Sequence, residues 1–404
     1  MTRLARPLVF LMALGWVGFL AYLTLTPGLA SPPLSLRRFF CIVCTHAGTA
    51  DLIRNWILFL PGGFAFALLY GKRRAVLMCA VLTLMIETAQ VWLPGRDPVF
   101  HDLALNALGG WTGAQLVTAG WRGWVRWSVA GTAAAAWLVP ALLLIPLSPH
   151  QTLYGLWTPR LGGMDSYEGQ VLDARVGPVS VPTGRVRDDD RVREAIANRE
   201  TVTVTFTPGP TPTWYAPIFM VSTGRQVGLL MIATRGDDIH VHGHNVARRL
   251  RLDQPAALAF GALADLPQDT PVTLTLERDR DSGCVTVDTV EHCRMAPSLA
   301  DGWSFVLDLT SASAGLRAFL RAWWTVCLGL GIGLAVGGLG GVGLATLVTA
   351  LGLVISTVSP DVRPDLLNSA VLMLTTGAAC ALRPWVLDAR EFIREATQRT
   401  AATK

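Results

Sequence analysis

The sequence predicts a multi-domain membrane protein in which an α-helical transmembrane bundle of about eight helices carries an extracytoplasmic all-β sandwich. Three observations support this fold class. Hydrophobic residues make up 51% of the 404 residues and charged residues only 16%. The charges crowd into residues 151–316 and into short connectors. The same segment alternates apolar and polar residues with a period of two, which is typical of strands. We therefore expect transmembrane helices at 1–150, a sandwich at 151–316, further helices at 317–388 and a tail at 389–404.

Eight apolar runs are long enough for membrane spans, since a span needs about 20 residues and at least about 17. The first run follows two arginines and is longer than the apolar core of about 7–15 residues in a secretory signal peptide, so we expect a retained helix. The runs lie near residues 7–27, 53–70, 75–94, 103–119, 127–147, 318–338, 341–358 and 366–382.

Basic residues predict the orientation of these helices, because cytoplasmic connectors carry an excess of Lys and Arg. If every run spans, the basic residues gather on one side, which also holds both termini, and residues 148–316 lie outside. These connectors explain the net charge of +5, so no nucleic-acid partner is expected. The basic residues on the inner side are Arg3, Arg6, Lys72, Arg73, Arg74, Arg122, Arg126, Arg390, Arg394, Arg399 and Lys404. The opposite short connectors hold Arg37, Arg38, Arg96 and Arg363.

A few polar residues recur inside the first apolar runs, where a charge near the bilayer centre costs roughly 2.5–3.5 kcal/mol. Three predicted helices each present a polar pair three or four residues apart, hence on one face. The predicted topology brings these pairs to one depth near the outer membrane face, below an arginine in a short connector. The candidate ligand-binding residues are therefore Asp51, Asn55, Glu87, Gln90, Arg96, Asp102 and Asn106.

Structural roles explain part of this set. Asp51 and Asp102 both begin helices, where a carboxylate stabilises the N-terminus, and the amide side chains can bond between helices. Glu87 lies within an apolar stretch and has no cap to make. We expect Arg96 or a proton as its partner and a role in contacting a ligand.

The polar residues form one ordered pattern within roughly residues 10–145. It reads Asp51-x-x-x-Asn55-x-x-x-Phe59-x-Pro61-x-Gly63, then Glu87-x-x-Gln90, Arg96 and Asp102-x-x-x-Asn106-x-x-Gly109. This pattern resembles that of the VanZ-like membrane proteins, with one departure at Gly62, where a larger apolar residue is expected. The resemblance implies a protein of the bacterial cell envelope, located in the cytoplasmic (inner) membrane. The namesake is associated with low-level resistance to the glycopeptide teicoplanin, and the resemblance implies no established catalytic mechanism.

Three functions are consistent with these residues. The first is binding of a membrane lipid or lipid-linked envelope precursor through its headgroup, linked to glycopeptide resistance or envelope maintenance. The second is a membrane enzyme with Glu87 and Asp102 as a general acid/base pair on a glycosidic or phosphoester bond. The third is a structural anchor that displays the sandwich. No Ser or Cys nucleophile with a base, HExxH motif or P-loop accompanies the carboxylates. The sequence therefore predicts no cofactor and leaves catalysis open.

The segment 151–316 predicts a β-sandwich, because short alternating runs are separated by turn residues. The spacing of the strands loosely resembles the LamG-like jelly rolls of the concanavalin type. This resemblance implies a glycan or protein ligand and transfers no binding residue. The predicted strands are 202–206, 217–222, 227–233, 238–244, 272–277 and 303–309.

Three histidines of the sandwich, His240, His242 and His244, share one face of a predicted strand. Three imidazoles at this spacing are weak candidates for a zinc or copper site. A solvated polar face opposite a core-facing one explains the same alternation.

Four cysteines fall on the predicted oxidising side. Cys284 and Cys293 can close a strand-turn-strand with a disulfide. Cys41-x-x-Cys44, with His46 nearby, lacks the second CxxC that a structural zinc site needs, so a local disulfide or two free thiols are expected.

The C-terminal helices contain glycines at every fourth position, a pattern typical of close helix contact. It is explained by packing within the bundle or by a homo-oligomer. The hairpin that follows, Arg363-Pro364-Asp365-x-x-Asn368, faintly echoes the segment 96–106 without a counterpart of Glu87 and suggests a degenerate repeat. The glycines are Gly329, Gly333, Gly337 and Gly341.

Overall fold

The computed structural model describes most of the chain and divides into two compact units. One comprises residues 1–132, 331–342 and 376–404, and the other comprises 133–330 and 343–375. The described residues are 5–27, 39–43, 47–94, 96, 98–118, 123–161, 164–224, 227–268, 270–278, 283–307, 313–359 and 361–402.

The apolar runs of the sequence form long helices. Five helical segments are long and apolar enough to cross a membrane: Arg6–Leu25, Gly48–Tyr70, Ala314–Val336, Gly338–Val358 and Leu366–Trp385. The other three predicted spans form the less apolar helices α3, α4 and α5 given next. The chain is thus a multi-pass membrane protein. In chain order the helices are α1 (Ala5–Leu25), α2 (Gly48–Tyr70), α3 (Lys72–Gln90), α4 (Phe100–Thr118), α5 (Gly123–Leu143), α6 (Asp189–Ala197), α7 (Val246–Arg249), α8 (Ala314–Val336), α9 (Gly338–Val358) and α10 (Leu366–Ala402).

Helix α1 packs on α2 through one tryptophan. The ring of Trp16 makes edge contacts with Phe59 and Phe66, at centroid distances of 5.5 and 5.8 Å, and its Nε1 donates to the Leu58 carbonyl at 3.0 Å. A Cβ added at Gly62 would lie 2.1 Å from the same ring. The indole therefore occupies the space of the larger residue that the VanZ-like pattern leads one to expect at this position.

The same helix–glycine–helix arrangement occurs twice along the chain. Helices α2 and α8 each have 23 residues. Each is followed directly by a glycine with a left-handed backbone, Gly71 at φ 83° and Gly337 at φ 74°. Glycine adopts this conformation without the steric penalty that a Cβ imposes, so the next helix can begin at once. The degenerate repeat suggested by the segments 96–106 and 363–368 stays a prediction.

Arginine side chains cover the carbonyls that remain unpaired at the end of α8. Arg126 donates from Nε to Ala335 O at 2.6 Å and from Nη2 to Val336 O at 3.0 Å. Arg383 donates from Nε to Leu334 O at 3.2 Å. The last carbonyls of a helix have no partner within it, so these contacts satisfy them from neighbouring helices.

The regularly spaced glycines of α8 make contacts within the chain. A Cβ at Gly329 would lie 2.0 Å from Thr375 Oγ1, and a Cβ at Gly333 would lie 2.5 Å from Thr376 O. Both partners belong to α10, so a larger residue at either position would push these two helices apart.

The segment after α5 is a sandwich of two six-stranded antiparallel sheets. Their strand orders are β4-β1-β6-β7-β8-β9 and β12-β11-β10-β5-β2-β3. The core between them contains fully buried large side chains such as Phe206, Phe219, Ile232 and Leu274. The strands are β1 (Leu153–Trp157), β2 (Gln170–Val176), β3 (Val179–Ser180), β4 (Gly184–Arg185), β5 (Val202–Thr207), β6 (Ala216–Thr223), β7 (Gly228–Arg235), β8 (Asp238–Gly243), β9 (Ala257–Ala259), β10 (Val272–Glu277), β11 (Cys284–Val287) and β12 (Val290–His292).

Five of the six predicted strands are confirmed, and the strand predicted at 303–309 is wrong. A 3-10 helix spans Leu299–Phe305 instead. Its start is fixed by a capping box, in which the Ser298 backbone amide and Asp301 Oδ2 lie 2.9 Å apart. Arg321 Nε binds Asp301 Oδ1 at 2.6 Å, and Trp303 is buried. The alternation of apolar residues here reflects tertiary packing and a local cap rather than a sheet.

The predicted disulfide between Cys284 and Cys293 is present. It closes the hairpin of β11 and β12, in which Val285 pairs with His292. Cys41 is also disulfide-bonded. Cys44 and His46 lie outside the described residues, so their predicted roles stay predictions.

Candidate functional site

Helices α2 and α4 run parallel and touch through glycines. A Cβ at Gly63 would lie 2.0 Å from Gly110 O, and a Cβ at Gly113 would lie 2.1 Å from Leu60 O. A Cβ at Gly109 would lie 2.2 Å from Trp56 O. Backbone therefore packs directly on backbone along this pair of helices. Such close approach fixes the register of the polar side chains two turns away.

A chain of polar contacts connects α2 to α4 at the N-terminal end of both helices. Asn55 Nδ2 donates to Asp102 Oδ1 at 2.5 Å. His101 Nε2 contacts the same oxygen at 3.0 Å, and His101 Nδ1 lies 2.9 Å from the Cys41 carbonyl oxygen. The partners of both ring nitrogens are acceptors. The two contacts can therefore be hydrogen bonds at the same time only if both nitrogens carry a proton. His101 then pairs with Asp102 as a cation and has no nitrogen left to act as a base.

Glu87 comes from α3 and caps the start of α4. Its Oε2 accepts a hydrogen bond from the Val99 backbone amide at 3.1 Å, just before α4 begins. The side chain is buried, and Asp102 and His101 are its electrostatic neighbours. Within the described part of the chain Glu87 has no ion pair. Of the two expected partners, Arg96 or a proton, Arg96 is therefore the wrong one.

Arg96 and Gln90 bind the end of α1 instead. Arg96 donates from Nε to Thr26 O at 2.9 Å and from Nη2 to Leu23 O at 2.8 Å. Gln90 Nε2 donates to Thr24 O at 3.1 Å. These carbonyls belong to the last turn of α1 or follow it, where no intrahelical amide is available. Both side chains thus act as a cap for α1, through one donor of Gln90 and two of the five donors of Arg96.

Asn106 lies one turn further along α4 and is buried. Its Nδ2 donates to Thr83 Oγ1 on α3 at 2.9 Å. Its Oδ1 is enclosed and has no hydrogen-bond partner in the described part of the chain. A buried amide oxygen without a partner costs about 1–3 kcal/mol, so this acceptor is open to a donor from a ligand or water.

Asp51 forms an ion pair with Arg54 of the same helix, at 2.8 Å between Oδ1 and Nη2. It is also an electrostatic neighbour of His101. Sequence reasoning missed Arg54 and His101. His101 could have been found from the sequence, because it directly precedes Asp102 at the start of an apolar run.

The predicted residues thus divide into two groups. Asp51, Asn55, Glu87 and Asp102 interact with one another, directly or through His101, and Asn106 lies one turn beyond Asp102 on α4. Gln90 and Arg96 bind α1 instead. The first group is rich in acceptors: three carboxylates and an amide oxygen face two cations. Such a site suits a ligand that donates hydrogen bonds.

His240 and His242 of β8 and His244, which follows the strand, do not form a metal triad. Among the described residues, the group whose ligand atoms lie within 4.8 Å of one another consists of the disulfide cysteines and Glu291. The rings of His240 and His242 pack against Tyr215 at centroid distances of 5.3 and 5.7 Å. Burial lowers the pKa of His242 to about 3. The expectation of a solvated histidine face is wrong for His240 and His242, since Tyr215 packs against both rings.

Comparison with known protein families gives a match to part of the chain. Residues 9–121 match a protein-family model described as VanZ/LLP1. No curated protein and no solved structure matches the chain. The matched segment contains most of α1, all of α2 to α4 and every residue of the polar group.

Proposed function

We propose that the VanZ-like domain at residues 9–121 binds the headgroup of a membrane lipid or lipid-linked envelope precursor through the acceptor-rich group on α2, α3 and α4. The observation that carries the proposal is the cluster formed by Asn55, Asp102 and His101 beside the buried Glu87. If these carboxylates served only as helix caps, side chains from three helices would not have to converge in a region where a charge is costly.

The chemistry of the site favours a headgroup with hydroxyl or amino donors. Glu87 commits one oxygen to the Val99 amide, and Asn106 Oδ1 has no partner among the described residues. Arg96, the residue best suited to a phosphate, already donates to two carbonyls of α1. A sugar or an amine fits these acceptors better than an anion does.

The position of the site follows from the distribution of Lys and Arg, which favours cytoplasmic termini and an outer-leaflet site in the bacterial inner membrane. The disulfide between Cys284 and Cys293 agrees with an extracytoplasmic sandwich, since disulfides persist in oxidising compartments. Packing of Trp16 on α2 supports retention of α1. The sandwich then presents a LamG-like surface to a glycan or protein outside, in a protein linked to glycopeptide resistance or envelope maintenance.

The test compares lipids retained on gently purified full-length protein by mass spectrometry. Glu87→Gln keeps the shape of the side chain and removes its charge, so we expect a several-fold loss of retained hydroxyl- or amine-bearing lipid. Thr88→Val is the matched control, because Thr88 is exposed on the same helix and its hydroxyl donates to the Leu84 carbonyl of that helix. The proposal is refuted if Glu87→Gln retains as much lipid as the wild type and if cells that carry it survive glycopeptide treatment equally well.

An enzymatic function is the second candidate, because Glu87 and Asp102 are electrostatic neighbours, as an acid/base pair requires. The commitment of both His101 nitrogens leaves the two carboxylates as the groups able to move a proton. Turnover of a lipid-linked glycan by the purified protein, lost in Glu87→Gln, would support it.

A further inference from the structure

A short segment at residues 39–43, here called the strap, lies against the N-terminal ends of both α2 and α4. On the side of α4, the rings of Phe40 and Phe100 are in contact at a centroid distance of 6.0 Å. On the side of α2, a Cβ added at Gly48 would lie 2.8 Å from Val43 Cγ1. Phe100 and Gly48 are the first residues of their helices. The strap therefore packs on the two helix ends that carry the polar group.

The strap is also bonded to the polar group itself, through His101. One nitrogen of this ring lies 2.9 Å from the Cys41 carbonyl oxygen, and the other lies 3.0 Å from Asp102 Oδ1. A single imidazole thus connects the backbone of the strap to a carboxylate of the site. Cys41 is disulfide-bonded, and the bridge restrains the strap in this position.

The side chains of the strap alternate between two environments. Phe39, Cys41 and Val43 are half-buried, whereas Phe40 and Ile42 are 64% and 63% exposed. The proposed orientation puts this end of the helices at the outer membrane face, where exposed apolar side chains are stabilised by the boundary between headgroups and acyl chains. The strap therefore has one side on the protein and one side suited to lipid.

The interface between α2 and α4 offers no space for a headgroup. The Cβ positions at Gly63, Gly109 and Gly113 would lie 2.0, 2.2 and 2.1 Å from backbone oxygens of the facing helix. The polar group lies at the N-terminal end of this pair of helices, and its member Glu87 is buried. The shortest approach to the polar group from the outer leaflet therefore passes the strap.

We propose that the strap is a gate for the headgroup site: a bound lipid enters and leaves when residues 39–43 move off α4, and the disulfide at Cys41 slows this opening. The inference rests on the proposed function, since it concerns the passage of the same lipid. When the gate is closed, His101 donates to the Cys41 carbonyl. When it is open, a hydroxyl oxygen of the headgroup accepts the same hydrogen bond. Segments with few buried apolar contacts open at low cost, and the outward side of the strap stays in lipid throughout.

The experiment follows two rates on full-length protein in a non-ionic detergent. The first is hydrogen exchange of the strap amides. The second is release of a loaded probe after dilution into lipid-free micelles. The probes are phosphatidylethanolamine and glucosyl diacylglycerol, both labelled on an acyl chain, so that one headgroup offers an amine and the other offers sugar hydroxyls.

Two variants loosen the strap without changing a residue of the polar group. In Gly48→Ala the three atoms nearest to the new Cβ all belong to Val43, at 2.8 to 3.3 Å, so the strap is pushed away. Cys41→Ser removes the bridge and keeps the carbonyl. Either variant should speed strap exchange and probe release about fivefold, the effect of weakening the closed state by one neutral hydrogen bond. The controls are Gly15→Ala, whose Cβ meets nothing within 4 Å, and Cys327→Ser, which replaces an exposed free thiol.

Faster exchange together with faster release supports the gate. Faster exchange with unchanged release overturns the gate alone, and so does unchanged exchange in both variants. Should Cys41→Ser fail to fold, Gly48→Ala decides alone. Glu87→Gln is expected to weaken probe binding while strap exchange stays as in the wild type, which separates the headgroup site from its gate. If neither probe binds the wild type, the proposed function and the gate are overturned together.

Discussion

Replacing Gly63 by Ala tests whether the contact between α2 and α4 positions the polar group. The added Cβ would lie 2.0 Å from Gly110 O, and ordinary contact begins at 3.4 Å, so the helices must separate by about 1.4 Å. Overpacking of this kind costs about 1–3 kcal/mol. The Asn55–Asp102 hydrogen bond lies eight residues away on both helices, about 12 Å along the axis. At 2.5 Å it cannot absorb such a separation and remain a hydrogen bond.

The assay is thermal unfolding of the full-length protein in detergent, followed by tryptophan fluorescence, together with the lipid retention described above. We expect Gly63→Ala to lower both the stability and the retained headgroup lipid. Gly18→Ala is the control, because a Cβ at Gly18 of α1 meets nothing within 4 Å. The reasoning is refuted if Gly63→Ala is as stable as Gly18→Ala and retains as much lipid.

Three further predictions concern stability. Arg96→Ala leaves carbonyls of α1 unpaired and should cost about 1–2 kcal/mol in thermal unfolding without changing which lipid is retained; a changed lipid would contradict its role as a cap. Cys284→Ala opens a short loop and should cost about 2–3 kcal/mol of sandwich stability in urea, and an unchanged midpoint would contradict this. Because His242 is held neutral in the fold, the unfolded chain gains a proton first as pH falls. Stability should therefore decrease from about pH 6.5 towards pH 3, by at most about 1.4 kcal/mol per pH unit, in urea titrations. His242→Gln should flatten this dependence, and an unchanged pH dependence in this variant would contradict the assignment.

Helices and strands were predictable wherever one period dominates the sequence. The apolar runs gave the eight long helices, and alternation gave β5 to β8 and β10, because burial of one face selects these patterns. The four-residue spacing of Asn55 from Asp51 and of Asn106 from Asp102 correctly put these pairs on two helices that meet.

The contacts made by connectors were not predictable in the same way. Arg96 lies outside any periodic element, so the sequence does not indicate that its guanidinium turns back to α1. The 3-10 helix near Trp303 is fixed by Ser298 and by Arg321, which is distant in sequence, and helix α6 interrupts the strands over nine residues. Local pattern carries little information about partners that are brought close only by the completed fold.

The arginine cap on α8 gives one side chain two separate duties. Arg126 belongs to the basic residues that predict orientation, and its guanidinium also covers the carbonyls of Ala335 and Val336. A lysine at position 126 would keep the positive charge that biases insertion during synthesis, but it lacks the planar fork that reaches two acceptors. Position 126 is therefore under two independent constraints: the orientation of the chain in the membrane and the stability of the folded helix bundle. Of the two basic side chains, only arginine satisfies both.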